Sequence, residues 1–267
     1  MTHSDAQGKA AMTTALDFTP APGAAPFPRM VAAQTGAEIR AMLRNGEQLL
    51  LTLIIPVLLL VGFSLAPIID IGGGSRVDFL VPGVLALAVM STAFTGQAIA
   101  TGFERRYGVL KRLGATPLSR PGLMLAKTAA VVSVELIQVV LIIGVGLALG
   151  WRPQGSFLGA ALLIVAGTAA FSGLGLLMAG VLRAEATLAA ANLVYLLLLG
   201  AGGVLFPLSK FPSGVRGALE LLPISALTGG LRSVLAQGAA LPLAPLAVLL
   251  GWAVLSLGLA SRTFRWE

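Results

Sequence analysis

Side chains suited to catalysis or metal binding are scarce in this sequence. It has no cysteine and one histidine, His3, so thiolate nucleophiles, disulfides and Cys-based zinc sites are excluded. A Ser-His-Asp triad or an H-E-x-x-H zinc site needs a histidine in the folded part of the chain, and His3 belongs to an N-terminal tail. We therefore expect no catalytic residue and no metal ligand here.

A phosphate-binding loop is also missing from the sequence. The Gly8-Lys9 pair is followed by Ala10 and lacks the rest of the G-x-x-x-x-G-K-[ST] pattern, whose backbone amides would cradle phosphates. If ATP drives this protein, ATP and Mg²⁺ must bind to a partner chain.

Glu135 is the one carboxylate that the sequence places well inside an apolar segment, one helical turn from Gln138. A charge in hydrocarbon costs at least about 2 kcal/mol, so Glu135 must face a cavity, a partner group or a dimer seam, or stay protonated. Two interpretations stay open. Glu135 contacts substrate or carries a proton, or it forms a structural hydrogen bond to a neighbouring helix such as the one with Asn192 or Tyr195.

Composition places these residues in a membrane protein. The chain is 57% hydrophobic and 11% charged, against about 25% charged residues in soluble domains. Uncharged runs such as residues 48–69 exceed the roughly 18 apolar residues that cross a bilayer. The net charge of +7 comes from basic residues in short connections, which indicates topology signals and no nucleic-acid partner.

The pattern predicts an all-α integral membrane protein with six transmembrane helices. A disordered cytoplasmic tail covers 1–28, an interfacial amphipathic helix 29–47, and a six-span domain 48–267. Before the last span, the proline-rich segment 207–240 predicts a pair of short re-entrant helices on the extracytoplasmic side. The six spans are expected at 48–68, 79–102, 122–149, 157–181, 187–206 and 241–261.

The segment before the first span has two interpretations. Val31, Ile39 and Met42 share one side of a helical wheel, with Arg40 and Arg44 opposite. This favours an interfacial helix, although an extension of the first span into water is also consistent with the pattern.

Basic residues also predict the orientation. Thirteen Lys and Arg fall on the side of the two termini and the second loop, against five on the other side. The positive-inside rule then puts both termini in the cytoplasm.

The richest polar segment is residues 103–121. It predicts a short helix over 103–113 with Phe103, Tyr107 and Leu110 on one face, ended by Pro117 and Pro121. Such a helix on the cytoplasmic surface suits docking into a groove of a partner protein. On residue patterns alone, a solvated basic loop is as good an interpretation.

The string E-R-R-Y-G-V-L-K-R-L-G-A-T-P-L-S at 104–119 resembles the E-[RK]-E-x-G-T-L-K-R-L-x-A-T-P-[LV]-S segment of the ABC type-2 permease family, and most closely its daunorubicin-type drug-export branch. The resemblance implies a coupling helix at 103–113 that docks on a separate nucleotide-binding ATPase subunit. The docking residues it implies are Phe103, Glu104, Arg105, Arg106, Tyr107, Gly108, Leu110, Lys111 and Arg112.

The same resemblance implies the rest of the function. The chain would be the permease subunit of an ATP-driven exporter in the bacterial cytoplasmic (inner) membrane, paired with a second copy or a related permease. An apolar lining with few charges fits hydrophobic or amphipathic, drug-like or lipid-like substrates. Candidate path residues are Glu135, Gln138, Asn192, Tyr195 and Phe206.

Two alternative functions stay open. A proton-coupled secondary transporter would use Glu135 as its proton carrier, and a non-catalytic membrane scaffold would leave no chemical signature in the sequence.

Overall fold

A computed structural model of the chain describes residues 23–66 and 75–263, and every regular element in that part is helical. The all-α fold class is therefore confirmed. The predicted disordered tail falls on residues 1–28, of which 1–22 lie outside the described residues. The end of the first predicted span, beyond residue 66, lies outside them too.

Helix α1 (Phe27–Arg44) starts at a proline-rich turn, with Pro26 as its N-cap and Pro28 in the first turn, where a missing N–H costs nothing. It ends at Asn45, whose backbone leaves the helical region. The alternative in which α1 extends the first span is thus wrong, because the chain breaks between the two helices. The predicted tail also ends slightly too late, since Phe27 and Pro28 are already helical.

The first predicted span is irregular. It runs as α2 (Gly46–Leu49), a π-helical stretch over Leu50–Ile54, and α3 (Ile55–Leu65). Its apolar part, Thr52–Leu65, is shorter than the other spanning helices. Pro56 in the first turn of α3 has no N–H to donate, which favours a break in the regular helical ladder just before it.

The second span is the central helix of the bundle. It comprises α4 (Arg76–Val89), a π-helical stretch over Met90–Gly96, and α5 (Gln97–Arg106). Together they form a 31-residue apolar helix, and 78% of an 18-residue apolar stretch within it is buried. It contributes more buried residues to the main apolar core than any other described helix.

The remaining helices follow the predicted order. Among residues 23–66 and 75–263, five helices are long and apolar enough to cross a membrane, or six if the bent pair Ser213–Glu220 and Pro223–Leu235, with an angle of 87°, counts as one span. The chain is therefore a multi-pass membrane protein, while the exact six-span layout stays a prediction. The bounds are α6 (Val109–Gly114), α7 (Arg120–Ala148), α8 (Phe157–Val181), α9 (Ala184–Ala201), α10 (Ser213–Glu220), α11 (Pro223–Leu235) and α12 (Leu243–Thr263).

Successive long helices run in opposite directions, so the bundle has two distinct ends. One end, called the basic end below, holds the α5–α6 connection, the start of α7, the end of α8 and the start of α9. Its exposed cations include Arg106, Lys111, Arg112 and Arg120. The opposite end holds the α7–α8 loop and the α10–α11 pair.

Arg232 on α11 ties the opposite end together. Its guanidinium donates to Gly203 O (2.6 Å), Val204 O (2.8 Å) and Phe79 O (3.2 Å), and it lies 3.6 Å from the centre of the Phe79 ring. Carbonyls after α9 and in the first turn of α4 thereby accept hydrogen bonds from a charged donor. Sequence reasoning counted Arg232 only as a topology charge, because its partners are distant in the chain.

We expect Gly83→Ala to destabilise the opposite end of the bundle. A Cβ at Gly83 would lie 2.8 Å from Val204 O and 3.1 Å from Arg232 Nη2, and such overpacking costs about 1–3 kcal/mol of unfolding free energy. The matched control is Gly62→Ala, whose Cβ meets nothing within 4 Å. Thermal unfolding in detergent should show a lower midpoint for Gly83→Ala alone; equal midpoints would contradict this close approach.

Candidate functional site

The candidate docking segment is a corner between two helices. The prediction of one helix over 103–113 is wrong, because α5 ends at Arg106 and α6 starts at Val109. Gly108 has φ of 71°, a left-handed conformation that glycine adopts without strain and that ends a helix. Tyr107 and Gly108 therefore form the point of the corner.

Leu110 faces the interior and anchors this corner. It is fully buried, in an apolar cluster at the basic end that joins α6 to the helices beneath it. Its predicted role as a docking contact is therefore corrected, since it offers no surface to a partner. The other buried members of the cluster are Leu118, Leu123, Met124, Leu176 and Ala260.

Arg105 and Arg106 attach the corner to the α8–α9 connection. Arg105 donates to Gly180 O (2.7 Å) and to Leu182 O, where a cation complements the C-terminal end of α8. Arg106 forms an exposed ion pair with Glu185 in the first turn of α9. The guanidinium of Arg105 therefore holds the corner to the end of α8, and its docking role stays a prediction.

Lys127 forms the most buried charged cluster of the basic end. Its Nζ lies 2.6 Å from the carboxylate of Glu104 on α5 and 3.0 Å from that of Glu38 on α1, and its side chain is 4% exposed. A lysine this far from water is retained only when acids and hydrogen bonds compensate the lost hydration. This cluster joins α1, α5 and α7, so Glu104 serves the interior and its predicted docking role is corrected.

The corner still presents a polar and aromatic surface to the outside. Tyr107 is 67% exposed and stacks on the half-buried Phe103, with ring centres 6.1 Å apart. The exposed side chains of this surface, called the basic corner below, are Arg106, Tyr107, Val109, Lys111 and Arg112. Four of them, Arg106, Tyr107, Lys111 and Arg112, are predicted docking residues, and a partner can reach them.

A groove of about 680 Å³ runs along the first span, the second span and α9. It receives residues from both π-helical stretches, and such stretches frequently occur at functional sites. The predicted path residues Asn192 and Tyr195 do line it, together with Phe103. Its polar lining residues are Asn45, Thr52, Ser91, Thr95, Asn192 and Tyr195.

A second cavity of about 240 Å³ continues the groove toward the basic corner. The two share Phe103 and Gly96, and the second reaches Glu104, Tyr107 and Lys127. The groove and the corner are thus contiguous features of the same structure.

Gln138 supports the groove from behind and does not line it. Its Nε2 donates to Thr52 O (2.8 Å) and Thr92 Oγ1 (2.9 Å), and Thr92 Oγ1 donates to Gln138 Oε1 (3.1 Å). Thr52 and Thr92 belong to the two π-helical stretches. One amide side chain therefore fixes both irregular walls of the groove.

Glu135 and Phe206 lie apart from the groove. Glu135 lines a different cavity between α7 and α8, and its Oε2 contacts Thr168 Oγ1 on α8. Glu135 therefore does form a hydrogen bond to a neighbouring helix, as one of the two sequence interpretations predicts, but the partner lies on α8 and not on the helix with Asn192 and Tyr195. Phe206 follows α9 in an exposed loop and lines none of these cavities. Of the five candidate path residues, Asn192 and Tyr195 line the groove and the other three do not.

Sequence reasoning missed Glu38 and treated Lys127 as a loop charge. The available signal was an isolated lysine several residues inside an apolar helix, which requires an acid from elsewhere in the chain. Within residues 23–66 and 75–263, no group of three or more His, Cys, Asp or Glu residues is placed to hold a metal ion.

We expect Lys127→Met to destabilise the basic end strongly. Removing the lysine leaves Glu38 and Glu104 facing each other without a cation, and breaking a buried ion pair in this way costs about 3 kcal/mol. The thermal unfolding midpoint in detergent should be lower for Lys127→Met than for the wild type. Arg120→Met, which removes an exposed cation at the start of α7, should leave the midpoint nearly unchanged.

A triple variant, Lys127→Met with Glu38→Gln and Glu104→Gln, separates charge from packing. It should recover most of the lost stability, because no unpaired charge remains. A triple variant as unstable as Lys127→Met would show that the cluster acts through shape and not through charge.

A known protein family matches the part of the chain that contains these features. Residues 31–236 match the model of a family described as ABC-2 type transporter, which covers most of the chain including α1, the basic corner, the groove and α11. A comparison with curated proteins gave no match. The family resemblance predicted from 104–119 is thereby confirmed. The chain belongs to the ABC-2 type transporter family and is a membrane transport subunit.

Proposed function

We propose that this chain is the permease subunit of an ATP-driven exporter of hydrophobic or amphipathic molecules, coupled to a separate ATPase subunit. Membership of the ABC-2 family supports a permease role. The observation that carries the coupling is the basic corner, which stands at the end of the central span and is tied to the bundle by Leu110, Arg105 and the Lys127 cluster.

The basic corner has the chemistry of a protein docking site. Tyr107 and Arg112 are residue types that dominate binding energy at interfaces, and both are exposed beside Lys111. An ATPase surface with an apolar pocket for Tyr107 and an acidic rim for the cations would fit it. ATP and Mg²⁺ would bind on that partner.

The groove supports the choice of substrate class. Its lining mixes apolar side chains with hydroxyl and amide groups, and no Asp, Glu, Lys or Arg is among the described residues that line it. Such a surface suits a molecule with a large apolar part and a few polar atoms better than an ion. A drug-like or lipid-like molecule meets that description.

A second copy of the chain is the proposed cover of the groove. Leu58, one helical turn after the lining residue Ile55, and Leu196, one turn after the lining residue Asn192, are each 62% exposed. Two copies related by a two-fold axis would enclose a path between facing grooves. The positive-inside rule would place the basic corners and both termini in the cytoplasm of a bacterial inner membrane.

Proton-coupled transport receives less support. We expect a proton carrier to lie close to the substrate path, whereas Glu135 lines a cavity that shares no residue with the groove. The exporter therefore remains our proposal.

Affinity purification of the tagged chain from its native membrane in mild detergent should recover a P-loop ATPase. Tyr107→Ala combined with Arg112→Glu should lower that recovery at least about tenfold, because it removes an aromatic anchor and reverses a charge. Arg152→Glu, a charge reversal at the opposite end, should recover ATPase as well as the wild type.

Loss of the ATPase is informative only if the double variant folds like the wild type. Tyr107 and Arg112 are exposed, so the double variant should keep the thermal midpoint and oligomeric state of the wild type. A well-folded chain that purifies without any ATPase would contradict the exporter proposal.

Because the chain has no cysteine, single cysteines can map the contact between copies. Leu196→Cys, beside the groove, should form a disulfide-linked dimer when native membranes are oxidised. Val254→Cys, which is 76% exposed on α12, should stay monomeric on the same gel. The reverse pattern would place α12 at the dimer contact and leave the groove facing lipid.

A further inference from the structure

The cavity between α7 and α8 is a site that the exporter proposal does not use. It has a volume of about 250 Å³, and its walls are apolar apart from Glu135 and Thr168. Val139 and Ile143 extend it away from the basic end, while the exposed Leu136 and Val165 lie at its mouth on the outside of the bundle. We call it the α7–α8 pocket.

Glu135 has one carboxyl oxygen without a partner in this pocket. The residue is 2% exposed, and no hydrogen-bond partner is present for Oε1. Gln138, one turn away on the same helix, has its amide oxygen and both amide hydrogens engaged. A buried acid retained only for structure would be expected to be satisfied in the same way.

The hydrogen bonds of Thr168 indicate whether Glu135 Oε1 is a hydrogen-bond donor or an acceptor. Thr168 Oγ1 is within hydrogen-bonding distance of both Ile164 O (2.9 Å) and Glu135 Oε2, but a hydroxyl has one hydrogen to donate. Both contacts are satisfied if Thr168 donates to Ile164 O and a protonated Glu135 donates to Thr168 Oγ1. Oε1 is then a buried carbonyl acceptor on a residue that lines an apolar cavity.

We propose that the α7–α8 pocket binds the amine-bearing end of a hydrophobic molecule dissolved in the bilayer, with an N–H donated to Glu135 Oε1. The apolar walls would cover a ring or short alkyl segment next to the nitrogen. The rest of the molecule would extend between Leu136 and Val165 into lipid.

Depth in the membrane argues for a hydrophobic amine over a lipid head group. Glu135 is near the middle of α7, about 12 Å along the helix from the charged cluster at Lys127, at 1.5 Å per residue. Lipid head groups stay at the bilayer surface, about 15 Å from its centre. The pocket therefore selects molecules that partition into the hydrocarbon.

Photolabelling tests the α7–α8 pocket in the absence of any ATPase. A negative result would therefore contradict the pocket proposal without bearing on the exporter proposal. The full chain would be reconstituted in phosphatidylcholine vesicles, whose lipid has no N–H donor. The probe is a trifluoromethyl-diazirinyl benzylamine, compared with the analogues that carry hydroxymethyl or methyl in place of aminomethyl. Peptide mass spectrometry would locate the labelled residues.

We expect saturable labelling of α7 and α8 residues around Leu136 and Val165 by the amine probe. Excess 4-tert-butylbenzylamine should compete with it, and the methyl analogue should label without saturation. Glu135→Leu should reduce saturable labelling by at least about tenfold, as expected when the one polar contact in an apolar site is lost. Val140→Ala, exposed on the lipid side of α7, is the control and should label normally.

Folding of Glu135→Leu is checked by its elution profile and thermal midpoint, and Glu135→Ala is a smaller replacement if leucine disturbs the bundle. Thr168 keeps Ile164 O as an acceptor in both variants. Saturable labelling that persists in folded Glu135→Leu or Glu135→Ala would overturn the proposal. So would a hydroxymethyl probe that labels as strongly as the amine.

Discussion

Polar groups inside an apolar bundle must find their partners within the chain, since hydrocarbon supplies none. Three side chains meet this constraint by joining elements that are distant in sequence. Lys127 joins α1 and α5 to α7, Gln138 joins the first and second spans, and Arg232 joins α4, the end of α9 and α11. Each of these hydrogen bonds and ion pairs requires a particular distance and orientation between the elements it joins, which apolar packing alone would not impose. A few polar contacts therefore determine how the helices are placed.

The basic corner gains its rigidity from the same constraint. Leu110 fills an apolar cluster beneath it, Arg105 binds the last carbonyls of α8, and Glu104 binds Lys127. The corner is thus held to three long helices and to α1 at once. A force applied at Tyr107 would move these elements together, because packed helices shift as rigid bodies rather than bend locally. This is the mechanical property that coupling to a motor subunit would need.

Hydropathy and charge could predict the helices of this chain well. The fourth span was predicted at 157–181, where α8 lies, because a long apolar run with a serine cap has one stable structure in a bilayer. The break at Gly108 was missed, since periodicity records which side chains share a face but not a change of backbone angle.

Interior partners were harder to predict. A helical wheel separates two faces of 103–113 without showing which one meets the bundle, and the docking residues that the family resemblance implies lie on both faces. The interior positions of Glu104 and Leu110 therefore could not be predicted. The partners of Lys127 are 89 and 23 residues away in sequence, and only the folded chain brings them together. Local sequence patterns do not show which residues that are distant in the chain come into contact.

The contrast between Glu135 and Gln138 shows how α7 serves two cavities. Gln138 points to the π-helical walls of the groove with every hydrogen bond made, while Glu135 points to the α7–α8 pocket with one oxygen unpaired. The two side chains are one turn apart, so α7 forms a wall of the pocket and supports the walls of the groove from behind. A molecule that separated α7 from α8 would shift Gln138 and hence the irregular stretches that it fixes. Such a shift is the physical route by which occupancy of the pocket would change the shape of the groove.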